Sequence, residues 1–253
     1  MRIGKKAGIA SIHRMIPPPP PDSAPRLVLA SASPRRHELL GMLGLPFTVE
    51  TSAVDEDDAD DGDPAALAIA LAERKAADVA ARLADGRVVA LGADTVVVHD
   101  PWGAPQALAK PAGAADARRM LRLLSGAVHV VCTGAAVAWL TAGHPYVRLR
   151  SALSVTEVAF RSLSDEEIAA YAATGEPADK AGAYAIQGGA AAFVTGIRGD
   201  YWNVIGLGLA DARRLLLPWF PAVGAPPALP PLPFAVSSGP ARPPRSLRDP
   251  RGT

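Results

Sequence analysis

Asp94 and Thr95 interrupt one of the most apolar stretches of the chain, Val88 to Val98 (VVALGADTVVV). A carboxylate among valines is costly to desolvate unless a cation or a polar pocket meets it. Either the strand stops at Gly92 and the pair sits in a solvated turn, or Asp94 is a buried acid with a partner. Gly92 permits a kink there, or the close approach of a ligand. Ser31-Ala32-Ser33-Pro34-Arg35-Arg36 offers a different chemistry. Ser33 suits a helix N-cap and Pro34 the first helical position, yet two arginines in the first turn oppose the helix dipole. Free amides, hydroxyls and guanidinium groups make sense together around an anion, and phosphate is the obvious one. A solvated pair of arginines is the plain alternative.

Other candidates are cations and amides. Lys75 lies four residues from both Leu71 and Val79 on a helical apolar stripe, so it either snorkels or reaches a phosphate. Lys110 precedes Pro111, which holds it extended and could aim its ammonium group into a cleft. Lys180 and Gln187 stand in a glycine-rich stretch (DKAGAYAIQGG); an amide can read a base edge through one donor and one acceptor. Asp55-Glu56 begin an acidic run to Asp63 that reads as a solvated loop, with these two nearest any site.

The elements that must carry these groups can be read from periodicity and punctuation. Arg26 to Ala30 predicts a strand, followed by a helix from Ser33 that ends at Gly44, and a second strand over Pro46 to Glu50. Asp63-Pro64 opens a long helix to about Ala84. His99 to Ala107 reads as a hairpin loop, and residues 113–125 as an amphipathic helix. Val128 to Trp139 and Arg148 to Phe160 read as long strands with a turn near Gly143-His144-Pro145, His129 being a satisfied sheet histidine. Ser164 with Glu167 forms a complete capping box, and Asn203 to Leu217 predicts one last helix.

At 253 residues the chain has ample core for one large domain or two small ones. Pro17 to Pro21 and the basic segment before them mark residues 1–26 as a disordered extension, and prolines with scattered arginines mark 218–253 as a disordered tail. Residues 27–217 are left as the folded domain. The net charge is +1, but residues 1–26 carry five Lys/Arg against one Asp, and residues 237–253 four Arg against one Asp. Residues 27–236 are therefore acidic, near −6, which argues against a general nucleic-acid binder; phosphate must be gripped by a local basic cluster. Cys132 is the only cysteine, so a disulfide framework is excluded and a reducing, cytoplasmic setting is expected. No run reads as a transmembrane helix, and no membrane partner is expected.

Ser31-Ala32-Ser33-Pro34-Arg35-Arg36, Gly92-Ala93-Asp94-Thr95, Lys110-Pro111 and Lys180 to Gly188 together resemble the Maf family of nucleoside triphosphate pyrophosphatases, from about Leu27 to Leu217. The resemblance implies an α/β fold of the Maf/ITPase-like kind, an elongated mixed β-sheet flanked by helices, with two lobes and a central cleft. It implies hydrolysis of a nucleoside triphosphate to the monophosphate and pyrophosphate, with a divalent metal cation, Mg²⁺ or Mn²⁺. By the same resemblance Asp94 is the proton acceptor or a metal-linked carboxylate. Ser31, Arg36, Lys75 and Lys110 hold phosphate oxygens, Glu56 helps bind the metal, and Lys180 borders the site. Arg35, Thr95 and Gln187 resemble the branch acting on dTTP and UTP; a sister branch carries Trp, Gln and Glu there. Ala109, Ala185 and Gly208 depart from the family pattern of glycine, glycine and proline. The resemblance allows a homodimer, and a second reading is a nucleotide-binding regulator of septum formation.

Overall fold

The computed structural model describes residues 25–55, 62–83, 87–100, 105–140 and 146–221. Its elements are β1 (Arg26–Leu29), α1 (Pro34–Gly41), β2 (Phe47–Val49), α2 (Pro64–Leu83), β3 (Val88–His99), β4 (Gln106–Leu108) and α3 (Ala114–Leu124). Then come β5 (Val128–Trp139), β6 (Arg148–Phe160), α4 (Asp165–Ala173), three 3-10 turns between Glu176 and Phe193, β7 (Val194–Arg198), α5 (Tyr201–Ile205) and α6 (Leu209–Leu216). The seven strands form one mixed sheet, six of them ordered β2-β1-β3-β5-β6-β7 and β4 paired with β3 off that path. β1 is parallel to β2 and β3, while β3, β5, β6 and β7 are antiparallel in turn.

The valine-rich run is one unbroken strand, so the solvated-turn reading of Asp94 and Thr95 does not hold. Along one edge, β3 pairs first with β1 (Val88 to Leu91) and then with β4 (Val97 to His99). Between those pairings, Gly92 to Val96 face a gap in the sheet among the described residues. Asp94 and Thr95 lie at that gap.

Alternation then sends successive side chains to opposite faces. One face is covered by α2, whose alanines pack on Val88, Ala90, Ala136 and Ala138 at one end and on Val96, Val98 and Cys132 at the other. On the opposite face α1 and α6 bury Leu91, Ala93 and Val137, and α3 and α4 bury Val97, Val131 and Val158. A polar seam separates the apolar clusters on both faces: Asp94 and Lys75 beneath α2, Thr95 and Thr133 on the other side.

Gly92 has a different reason from the expected ligand approach. A Cβ there would overlap the carbonyl oxygen of Ala72, and one on Gly134 the carbonyl oxygen of Ala68. Both glycines let the backbone of α2 lie directly on the sheet.

Several local expectations are met. Ser164 accepts from the Glu167 amide while Glu167 accepts from the Ser164 amide, completing the capping box. His129 is buried and bonded through Nε2 to the Tyr184 hydroxyl at 2.9 Å, but its Nδ1 has no partner, so it is only half satisfied. Burial, then the nearby charge of His99, lowers its pKa to about 3. The single helix expected over Asn203 to Leu217 is instead two short ones, α5 and α6. The break falls at Gly206, whose φ of 136° leaves the helical region. Packed structure also runs past 217: Trp219 is buried, its ring 4.7 Å from that of Trp139. The turn expected near residues 143–145 lies outside the described residues.

Candidate active site

A cleft of about 540 Å³ opens at the gap beside β3, walled by the β1–α1 loop, α2, the Ala109-Lys110 segment and the turns between Glu176 and Gln187. Ser31, Arg35, Arg36, Lys75, Asp94, Thr95, Lys110, Lys180 and Gln187 all line it. Glu56 lies outside the described residues.

The floor is the Lys75–Asp94 pair. Lys75 Nζ donates to Asp94 Oδ1 at 2.6 Å, with side-chain exposures of 8% and 11%. Lys75 is thus neither snorkelling nor solvated. It leaves the buried stripe of α2 because the helix lies against Gly92 and Gly134, which brings its ammonium group down to strand level. Each ion meets the other's desolvation cost, leaving an oriented carboxylate, 11% exposed, at the floor of the cleft.

Opposite stands the β1–α1 corner. Ser33 occupies the N-cap of α1 and Pro34 follows it, but no side chain caps the helix, and no acidic residue sits in its first turn. The Ser31 hydroxyl accepts from the Ser33 amide (3.2 Å) and from Arg36 NH1 (3.3 Å). Arg36 also donates from Nε to the Gly206 carbonyl (3.0 Å) and from NH2 to Thr95 Oγ1 (3.1 Å). The guanidinium is therefore held in a fixed plane at the site by Ser31, five residues away, and by Thr95 and Gly206, both distant in sequence. The Gly206 carbonyl is accessible to it because the final helix breaks there.

At the mouth, Asp179 bridges two cations. Arg35 NH1 donates to its Oδ2 at 3.0 Å and Lys180 Nζ to its Oδ1 at 2.6 Å; Lys180 also donates to the Glu176 carbonyl at 2.8 Å. Partial burial pushes the Asp179 carboxyl up, but the bonds from Lys180 and Arg35 prevail and hold it down at about 2. Gln187 is exposed on a loop whose underside is clamped: the Glu176 carboxylate accepts from Tyr171 Oη at 2.7 Å and from the Gly189 amide at 3.2 Å. Ala109 and Ala185, the two departures toward larger residues, both border the cleft. Gly208 lies apart from it; a Cβ there would run into the Ser154 hydroxyl.

A family model described as Maf-like protein matches residues 26–218. The chain belongs to the Maf family. It is 51% identical over 191 residues to a dTTP/UTP pyrophosphatase of Moorella thermoacetica, covering 76% of this chain and 93% of the relative. It is 49% identical over 202 residues to the dTTP/UTP pyrophosphatase of Anaeromyxobacter dehalogenans, covering 78% and 98%. The enzyme of the same name from Geobacter sulfurreducens is 50% identical over 198 residues, covering 75% and 96%.

Among the described residues of this Maf chain no three His, Cys, Asp or Glu side chains cluster as a ready-made metal cage. A cation delivered with a triphosphate would need only one or two carboxylates plus phosphate oxygens, and among the described residues Asp94 and Asp179 are the carboxylates that line the cleft. Among these residues, too, no helix is long and apolar enough to cross a membrane.

Asp179 and Thr133 escape sequence reasoning. Asp179 stands beside Lys180, and that adjacency was the available signal. Thr133 could be found only from the β3–β5 register, which pairs it with Thr95.

Proposed function

We propose that this Maf protein hydrolyses dTTP and UTP to the nucleoside monophosphate and pyrophosphate. The observation that carries the reading is the convergence of Arg35, Thr95 and Gln187, with the buried Asp94–Lys75 pair, on a single cleft of nucleotide size. Relatives bearing the dTTP/UTP pyrophosphatase name at about half identity support the substrate.

Attack on the α-phosphorus requires an ordered water, neutralisation of the anionic tail and stabilisation of charge on departing pyrophosphate. Asp94 orients that water and accepts its proton, and Lys75 keeps the carboxylate aimed. The Ser31 hydroxyl, the α1 amides, Arg36 and Lys110 receive phosphate oxygens. Lys180 and Arg35 sit at the rim, where a triphosphate competes with Asp179 for them. The new P–O bond forms from water as the bridging P–O bond breaks, and pyrophosphate leaves with the electron pair. A bound Mg²⁺ or Mn²⁺, held by Asp94 and phosphate oxygens, would supply further charge neutralisation. Gln187 and Thr95 select a small pyrimidine, because a wrong base leaves their polar groups unpaired. The lone cysteine, buried on β5, supports a cytoplasmic setting.

Purified protein with Mg²⁺ should release pyrophosphate from dTTP and UTP far faster than from purine triphosphates. No release from any triphosphate would overturn the reading.

A further inference from the structure

Thr95 is joined to the interior by a chain of hydrogen bonds whose directions can be worked out. Thr133, 1% exposed, lies 3.0 Å from the Asn203 backbone carbonyl and 3.0 Å from Thr95 Oγ1. A carbonyl can only accept, and a threonine hydroxyl carries one proton. Asn203 is wholly buried, and its Nδ2 donates to the Val131 carbonyl (3.0 Å) and to Thr156 Oγ1 (2.8 Å), so α5 cannot carry the carbonyl away. Leaving a buried carbonyl without a donor is costly, so the Thr133 proton goes to Asn203. Thr133 then meets Thr95 with lone pairs only, and Thr95 must donate to it. On the other side Arg36 NH2 donates to Thr95 at 3.1 Å.

We infer that Thr133, which does not itself line the cleft, fixes the proton of the Thr95 hydroxyl and so makes Thr95 an acceptor toward the substrate. Each group of the chain is then satisfied in one arrangement only: Arg36 to Thr95, Thr95 to Thr133, Thr133 to the Asn203 carbonyl. The one valence left on Thr95 is a lone pair. Uracil and thymine carry a ring imide N–H, a donor, where cytosine carries a bare ring nitrogen. An acceptor-only hydroxyl welcomes the first and repels the second. Thr133 is thus a positioning residue for base selection, acting through Thr95. The inference rests on the proposed pyrimidine-triphosphate activity and on Thr95 facing the base.

The test compares kcat/KM for UTP and CTP across substitutions. Thr133→Val removes the acceptor, freeing the Thr95 proton to turn into the cleft, and the UTP preference should fall by about tenfold or more. Thr133→Ser restores the acceptor and should restore the preference. A merely structural role would lower both substrates in proportion; that result, or an unchanged ratio in Thr133→Val, overturns the inference. If Thr133→Val does not fold, as judged by thermal denaturation, Thr133→Ala makes the same cut without the branched methyl. Thr95→Val separates the levels. A ratio that shifts there but not in the Thr133 variants refutes the proton ordering alone. A ratio that stays put in Thr95→Val refutes base reading by Thr95 while leaving triphosphate hydrolysis standing.

Discussion

Among the described residues two carboxylates line the cleft, each 2.6 Å from a lysine, and the carboxylates differ sharply in exposure. Asp94 and Lys75 are about nine-tenths buried between α2 and β3, whereas Asp179 is 63% exposed at the mouth and shared between Lys180 and Arg35. Equal bond lengths do not mean equal roles. Where both side chains are about nine-tenths buried, breaking the contact leaves an ion poorly solvated, so the pair is a persistent feature of the fold. In water the same contact is screened, and a triphosphate can take the cations over. In the proposed mechanism one pair serves the reaction and the other holds the place the substrate will occupy.

The comparison is broken most directly by removing each charge in turn. Asp94→Asn should lower the rate of pyrophosphate release from dTTP by about a thousandfold or more, the range for losing a general base. Asp179→Asn should change it by less than about tenfold, mainly through KM. Equal losses in steady-state assays would erase the distinction. Stability sharpens it next. Lys75→Met strands a buried carboxylate and should cost about 3–5 kcal/mol in urea unfolding, and Asp179→Asn, which alters a carboxylate 63% exposed, under about 1 kcal/mol. The smallest effect concerns acid. The folded Asp179 carboxyl, at about 2, lies below its ordinary 3.8. Its bridges are therefore fully present above pH 4 and are lost only as pH falls from about 4 toward 2. Titration of Asp179 by NMR should show its carboxyl still ionised at pH 4.

How legible this was depended on the range of the interactions. The capping box at Ser164 and the hairpin of β3 with β4 are local and could be read from neighbouring residues. Asp94 could be flagged as costly, since desolvation follows from the valines around it. Lys75 could be flagged from its place on an apolar stripe, but as a snorkelling or phosphate-binding lysine; that it meets Asp94 depends on how α2 packs on the sheet. Where sequence reasoning stopped short, the cause lay in contacts between distant segments. The close approach at Gly92 is to a helix twenty residues upstream, so the nature of the visitor was invisible locally. The last helix breaks at Gly206, where the Arg36 guanidinium takes the freed carbonyl, a bond spanning 170 residues. Trp219 sits beyond a proline at the edge of a Pro-rich stretch, yet it packs on Trp139 of β5. Composition hid an aromatic anchor there.

The two places where α2 touches the sheet through missing methyl groups, at Gly92 and Gly134, bear on how such a cleft can change over time. Because backbone rests on backbone, the standoff between ammonium and carboxylate is inherited with those two glycines, whatever residues decorate the outer side of the helix. That wall is a fixed jaw. Room for a bulkier or slimmer guest has to be found on the opposite, adjustable rim, where Ala109, Ala185 and Gln187 ride on loops.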